Sequence, residues 1–219
     1  MRKEEAETIG QLLEPYQFKT VINIGAGDVI KQKKNKPWIQ QCIFNSLQDK
    51  GAEIVHTDIF SFDGIDVLAD FTSAQVDQKF STFDGPRLFL FNNVLEHIPS
   101  ELVPKICSNI NKCLSQGDAL VVSVPFQYPF HADPIDTMFR PSPQDLTVLF
   151  GHKWCFTDVI EAGSYLEEIQ KMHWSKAIRK LLKPFWFLQS PTRYRENISR
   201  LKFLFQPYRI TIVMTVLSD

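Results

Sequence analysis

The sequence predicts a doubly wound α/β fold, a mostly parallel seven-stranded sheet with helices on both faces. Three observations carry that reading. Short β-branched or apolar runs alternate with segments of helical spacing, as a parallel sheet with crossover helices requires. One of the first runs, VINI (21–24), leads directly into GAGD (25–28), a glycine turn of the kind that lets backbone approach a ligand closely. Acidic or amide residues then stand after the next strand runs, at Asp58, Asp70 and Asn92. In an open sheet, ligands bind outside those carboxyl ends.

The elements follow in order. Residues 3–14 read as an amphipathic helix, and 20–24 as the first strand. KQKKNK (31–36) reads as a solvated loop or a frayed helix start. PWIQQCIFNSLQDKG (37–51) has helical spacing, with Pro37 near its start and Gly51 just past its end. EIVHTD (53–58) alternates as a second strand, DVLAD (66–70) is a short third, and a short helix falls around 73–80. RLFLF (87–91) is a buried-type fourth strand. Ser100 caps a helix over 100–118, with Pro104 in its first turn. ALVVSV (119–124) is the fifth strand, and the serine-proline pair at 142–143 opens a helix to Gly151. Residues 153–162 and 208–217 are the last two strands. The stretch 164–207 between them is a helical insertion within a single domain spanning 1–219.

With 219 residues, 44% hydrophobic and 22% charged, the chain suits one well-packed soluble domain and is short for two. The four cysteines (Cys42, Cys107, Cys113, Cys155) form no CxxC pair or other zinc-like spacing. They fall in or beside apolar segments, which suits free thiols in a reducing compartment. No apolar run reaches the roughly 18 residues of a membrane span, and the charged N-terminal segment lacks a signal-peptide core. The expected location is the cytoplasm. The net charge of −1 hides a division: residues 171–219 hold ten basic and two acidic side chains, +8, and residues 1–170 carry −9.

The glycine turn discriminates among nucleotides. A GxGxxG dinucleotide fingerprint needs a third glycine at position 30, where Ile30 stands. Asp28 is a poor neighbour for a pyrophosphate, and the lysines that follow lie in a loose polar run. A cationic sulfonium ligand with a carboxylate tail tolerates Asp28 better. Asp58 is placed to accept from a ribose diol, and Asp70 beside Phe71 suits an adenine amine next to an aromatic surface.

Together VINIGAGD, GAEIVHTDIF, VLADFTS, NNVLEHIP and VSVPFQYPFHADPIDTMFR resemble the class I S-adenosylmethionine-dependent methyltransferases. The subgroup is the bacterial small-molecule and glycan type with a "vLEHi" signature, and the resemblance spans about residues 18–160. It implies S-adenosylmethionine as cofactor, with Gly25 and Gly27 at its methionine part, Asp58 at the ribose, and Asp70 with Phe71 at the adenine. Asn92 would line the methyl-transfer side. Asn23 departs from the pattern, which commonly has an acidic residue there, and the lysine-rich stretch lengthens the gap to the second strand.

HADPIDTMFR (131–140) follows the fifth strand and holds the candidate acceptor chemistry. Methyl transfer is an in-line displacement, so alignment of the acceptor matters most, and a hydroxyl acceptor must also lose a proton. His131 is the expected base, with Asp133 or Asp136 orienting it or holding substrate, and Arg140 pairing with an aspartate or with an anionic substrate group. A loop held by an internal Asp–Arg pair and a metal set in HxDxxD are the competing readings; none of the assigned residues is taken as a metal ligand. His97 reads as a structural hydrogen-bonding histidine.

In the insertion, Leu166, Ile169, Trp174, Ile178, Leu181 and Leu182 recur at helical spacing, with Lys176, Arg179, Lys180 and Lys183 mostly on other faces and FWFL (185–188) following. A basic amphipathic helix beside aromatics fits an anionic membrane surface through 171–203. The competing reading packs the apolar face on the sheet or on a second subunit, as in a homodimer. Nucleic acid is disfavoured by the acidic body and the lack of a recognised binding module. The expected activity is methyl transfer to a small-molecule or sugar hydroxyl, with a lipid-linked glycan as one acceptor. The alternative is a non-catalytic nucleoside-binding or interaction module on the same fold.

Overall fold

In the computed structural model, which describes residues 1–131, 135–185 and 190–217, seven strands form one sheet. They are β1 (Thr20–Ile24), β2 (Glu53–Asp58), β3 (Val67–Leu68), β4 (Arg87–Asn92), β5 (Ala119–Gln127), β6 (Phe156–Ser164) and β7 (Pro207–Val216). Their order is β3-β2-β1-β4-β5-β7-β6, and β7 runs antiparallel to both neighbours while the other pairs are parallel. The chain winds outward from β1 to β3, then returns to place β4 on the other side of β1. That reversal is the switch point, and it opens a crevice beyond Ile24 and Asn92.

Every residue of β1 is buried, and β4 is buried from Arg87 to Phe91. Strands covered on both faces lose the polar alternation of a half-exposed strand, which is why they read as continuous apolar runs. Ile22, Ile24, Phe89 and Phe91 point to one core, with helix α5 (Val103–Cys113) and helix α6 (Pro143–Phe150) packed on it. Val21, Leu88, Leu90 and Val121 point to the other, under helix α1 (Lys3–Leu13).

Several elements differ from expectation. The lysine run is helical: α2 (Val29–Asn35) is capped by Asp28, whose carboxylate accepts from the Lys31 amide at 2.8 Å. The segment after Pro37 is continuous helix, α3 (Pro37–Ile39), a π-helical stretch Gln40–Phe44, then α4 (Asn45–Asp49). Ser100 is not a cap. α5 starts at Val103 behind Leu102, with no side-chain cap, and Pro104 sits in its first turn as expected. The short helix near 73–80 is only a 3-10 turn, Val76–Lys79. Ser142 does cap α6, accepting from the Asp145 amide.

The insertion forms α7 (Tyr165–Gln170), α8 (Trp174–Leu182) and α9 (Pro191–Leu201). Among the described residues no helix is long and apolar enough to cross a membrane. All four cysteines are free thiols, and burial pushes Cys107 and Cys113 up to about 12. A closed polar network stiffens the sheet away from the crevice. Arg87 and Asp118, both buried, meet at 2.6 Å, and the remaining guanidinium protons go to the Phe80 and Cys113 carbonyls at 2.8 Å.

Candidate active site

The turn after β1 is held from β2. The Gly25 and Ala26 amides donate to the Thr57 carbonyl at 2.9 and 3.1 Å, and the Gly27 amide donates to Asp58 Oδ2 at 2.9 Å. Both glycines take the left-handed conformation, φ +68° and +61°. A Cβ on Gly25 would lie 2.6 Å from a Val94 methyl, so close backbone packing requires that glycine. A Cβ on Gly27 would meet nothing within 4 Å, because the space over the turn is open. Asp58 Oδ1 also accepts from the Phe60 amide at 3.1 Å, so the carboxylate shapes both loops while keeping further lone pairs for a ligand.

Asn23 has a physical account. It is buried, lies beside His56 in the parallel register of β1 and β2, and its amide donates to His56 Nδ1 at 3.1 Å. Burial lowers the His56 pKa, which keeps the ring neutral. A neutral amide–imidazole pair therefore stands under the turn where an acid was the expected support.

Asp70 is exposed and held below the usual carboxylate range by hydrogen bonds from the Thr72 hydroxyl (2.7 Å) and amide (2.8 Å). Phe71 borders the cavity but is only 6% exposed and stacks on Phe80 at a centroid distance of 5.6 Å. Its ring packs in the core and presents only an edge of its surface to the cavity. The exposed apolar side chains along this wall are Ile59, Phe60 and Phe62. Sequence reasoning missed them, although each follows Asp58 within a few residues.

Asn92 Oδ1 lies 2.9 Å from the Ser123 hydroxyl, whose one proton goes to the closer Glu5 carboxylate. Beside it Glu5, wholly buried and contributed by α1, accepts from Asn93 and Ser123 at 2.6 Å each and from the Arg2 amide at 3.0 Å. The N-terminal helix thus reaches into the crevice, which no motif signalled.

A single cavity of about 1510 Å³ joins these groups. Gly25, Gly27, Asp58, Asp70 and Asn92 line one end, and Glu96, His97, Tyr128 and His131 line the other. A pocket for one drug-sized ligand runs to about 1,000 Å³, so this volume suits a cofactor with an acceptor.

The other end is assembled by tertiary contacts. The LEH segment makes a 3-10 turn (Leu95–His97), and the loop after β5 docks onto it. The Glu96 carbonyl accepts from the Thr137 amide and hydroxyl at 2.8 and 3.0 Å, and His97 Nδ1 bonds the Ile135 carbonyl. This brings the His97 and His131 rings together edge-to-face at 5.4 Å. Glu96 is 1% exposed, its Oε2 has no hydrogen-bond partner among the described residues, and burial pushes its carboxyl up to about 7.

Asp136, expected to orient His131 or hold substrate, and Arg140, expected to pair with an aspartate or an anionic substrate group, are not among the described residues that line the cavity. They pair with each other at 2.7 Å, and Asp136 Oδ2 also lies 3.2 Å from His131 Nδ1 and accepts from the His131 amide at 3.0 Å. Their structural role is to position His131. Burial pushes Asp136 up, but the bonds from Arg140, His131 and Met138 hold it below the usual carboxylate range. For His131, burial outweighs the attraction of Asp136, so the ring pKa is lowered and the imidazole is neutral near pH 7. Asp133, the other expected partner of His131, lies outside the described residues.

In the insertion, Tyr165 and Ile169 of α7 pack with Tyr208. The next helix packs only in part: Ala177 and Leu181 of α8 lie against that cluster, but α8 fully buries no residue, and Trp174, Ile178 and Leu182, four apart on one stripe, are 69%, 50% and 59% exposed. The competing expectation, an apolar face laid on the sheet, fails for this stripe. Residues 186–188 of the FWFL run lie outside the described residues. Lys171 and Met172, just before α8, and Glu196 and Arg200 of α9 rim the cavity.

No family model and no curated relative matches the sequence. Solved structures do match in fold. Coclaurine N-methyltransferase, determined with N-methylheliamine and SAH, superposes with a TM-score of 0.57 at 13% identity, over 96% of this chain and 72% of that one. A SAM-dependent methyltransferase from Archaeoglobus fulgidus gives 0.52 at 16% identity, over 97% and 94%. The cyclase SpnF gives 0.58 at 10% identity, over 99% and 82%, so one architecture serves more than one reaction. The chain has the seven-stranded fold of the SAM-dependent methyltransferases.

Proposed function

We propose that the protein transfers a methyl group from S-adenosylmethionine to a hydroxyl of a small-molecule or sugar acceptor, with a lipid-linked acceptor favoured. The observation that carries this is the one cavity holding a glycine turn with two strand-end carboxylates at one end and a neutral histidine at the other.

The residues at the turn fit that cofactor. Open space over Gly27 leaves room for its amino-acid end, Asp58 keeps acceptor capacity for a ribose diol, and Asp70 is ionised beside the exposed side chains of Ile59 and Phe60. Bound there, the cofactor supplies an electrophilic sulfonium methyl group. His131 sits at the far end, where its neutral ring takes the proton of the acceptor hydroxyl and Asp136 stabilises the resulting cation. Tyr128, 5.5 Å from the His131 ring, adds an aromatic wall there.

Helix α8 supports a membrane-borne acceptor. Its exposed apolar stripe, with Lys176 and Arg179 on the same helix, is the pattern of an interfacial helix on an anionic surface. Because Lys171 and Met172 rim the cavity at the foot of α8, such docking sets the cavity mouth near the lipid. Cosedimentation with phosphatidylserine vesicles tests this. Association that weakens with salt and is lost in Trp174→Ala/Ile178→Ala supports it, and no association even at low salt overturns it.

The second reading, a nucleoside-binding module or another reaction on the same fold, is separated by product. Release of S-adenosylhomocysteine in the presence of a lipid-linked sugar acceptor supports methyl transfer, whereas cofactor binding without any release across lipid-linked and free acceptors favours the second reading.

A further inference from the structure

We propose that Glu96, His97 and His131 form a binding site for a zinc-type divalent cation at the acceptor end of the cavity. One ligand atom from each residue can be chosen so that all lie within 4.8 Å of one another. Small side-chain rotations then close the set around bonds of about 2.0–2.2 Å.

Glu96 gives the strongest reason to expect a ligand. Its side chain is 1% exposed, and among the described residues Oε2 has no hydrogen-bond partner. A carboxylate oxygen withdrawn from water without a partner is costly, and native proteins rarely leave one so. The nearby cations, Arg140 (paired with Asp136 at 2.7 Å) and the Met1 ammonium, attract the Glu96 carboxyl, but among the described residues neither donates a hydrogen bond to Oε2. A metal ion on the cavity side of Oε2 removes the penalty.

The histidines are prepared in the same sense. His97 Nδ1 bonds the Ile135 carbonyl, and His131 Nδ1 lies 3.2 Å from Asp136 Oδ2. Each Nδ1 faced by an oxygen carries the ring proton, and Nε2 keeps its lone pair. Metal-binding histidines are oriented by outer partners of this kind. Asp136 is in turn fixed by Arg140, so the support runs two layers deep. Two imidazoles with one carboxylate suit zinc better than magnesium or calcium, which prefer all-oxygen sets. This set shares only His131 with the HxDxxD reading of the sequence, and Asp136 becomes an outer partner.

Three protein ligands leave coordination positions open toward the cavity. If the proposed methyl transfer holds, an acceptor hydroxyl on the metal loses its proton to water more readily, and His131 then acts as ligand in place of base. The binding itself does not depend on that reading.

The test uses the full-length protein, stripped with a chelator and titrated with Co2+ while visible absorption is followed, then challenged with Zn2+. We expect about one equivalent of Co2+ with ligand-field bands, displaced by Zn2+, and at least tenfold weaker binding in Glu96→Gln and in His97→Gln. Circular dichroism checks that each variant is folded, and either variant alone carries the comparison. No bands and no stoichiometric uptake by the wild type overturn the proposal, as does undiminished binding in both variants. S-adenosylmethionine titration of the stripped protein tests the cofactor separately. Metal uptake with no cofactor binding supports this site while overturning the methyltransferase reading.

Discussion

At the nucleotide end of the cavity, each functional group lies within three residues of a strand terminus: Gly25 and Gly27 after β1, Asp58 closing β2, Asp70 two residues past β3. At the acceptor end the groups arrive from separate parts of the chain. Glu96 and His97 come from a 3-10 turn, His131 from the loop after β5, and the rim from the insertion. The first end is held by backbone bonds between adjacent parallel strands, and the second by side chains that meet only once the fold has closed. Substitutions at the two ends should therefore fail differently, one in cofactor affinity and the other in turnover.

The largest effect is expected at His131. His131→Ala should keep S-adenosylmethionine affinity yet lose on the order of 10²–10⁴-fold in turnover, the range for a lost acid–base group. Unchanged turnover would remove His131 from the chemistry, and a parallel loss of cofactor affinity would erase the division between the ends. At the other end, Asp58→Ala should weaken cofactor binding by roughly 10–100-fold, the worth of hydrogen bonds to a charged group. It should also loosen the turn, since the Gly27 amide loses its acceptor.

The two glycines sharpen the comparison within one turn. Alanine at Gly27 meets open space and costs only the left-handed backbone, about 1–2 kcal/mol. Alanine at Gly25 carries the same penalty plus a 2.6 Å contact with Val94, so thermal unfolding should show the larger loss there. Equal losses would mean that the contact with Val94 is relieved without cost.

The smallest effect concerns pH. Burial lowers the His56 pKa from its ordinary 6.5, so the folded state binds fewer protons than the unfolded chain just below that value. Stability from this group is present above about pH 6.5 and falls as the solution is acidified through the lowered pKa. His56→Gln should flatten that part of the stability–pH curve, and a variant with the wild-type slope would show that His56 does not carry it.

Legibility followed the same division. The strands and the helix cap at Ser142 were readable because β-branched runs and cap residues are local signals. For Phe71, sequence shows an aromatic beside Asp70 but not that its ring stacks on Phe80 in the core. Asp136 and Arg140 were placed in the right loop, yet spacing does not tell a substrate contact from an internal pair. Glu5 carried no signal, since its partners Asn93 and Ser123 are 88 and 118 residues away. Glu96 stands within NNVLEHIP, but its burial and, among the described residues, its missing partner exist only in three dimensions.

The central claim is that the end of the cavity bounded by Gly25, Gly27, Asp58 and Asp70 binds S-adenosylmethionine. Isothermal titration of the wild type and Asp58→Ala tests it most directly. Saturable binding by the wild type, weakened at least tenfold by the substitution, is the expected result. No detectable binding by the wild type at about 1 mM ligand, where a complex would be worth only ~4 kcal/mol, would contradict it.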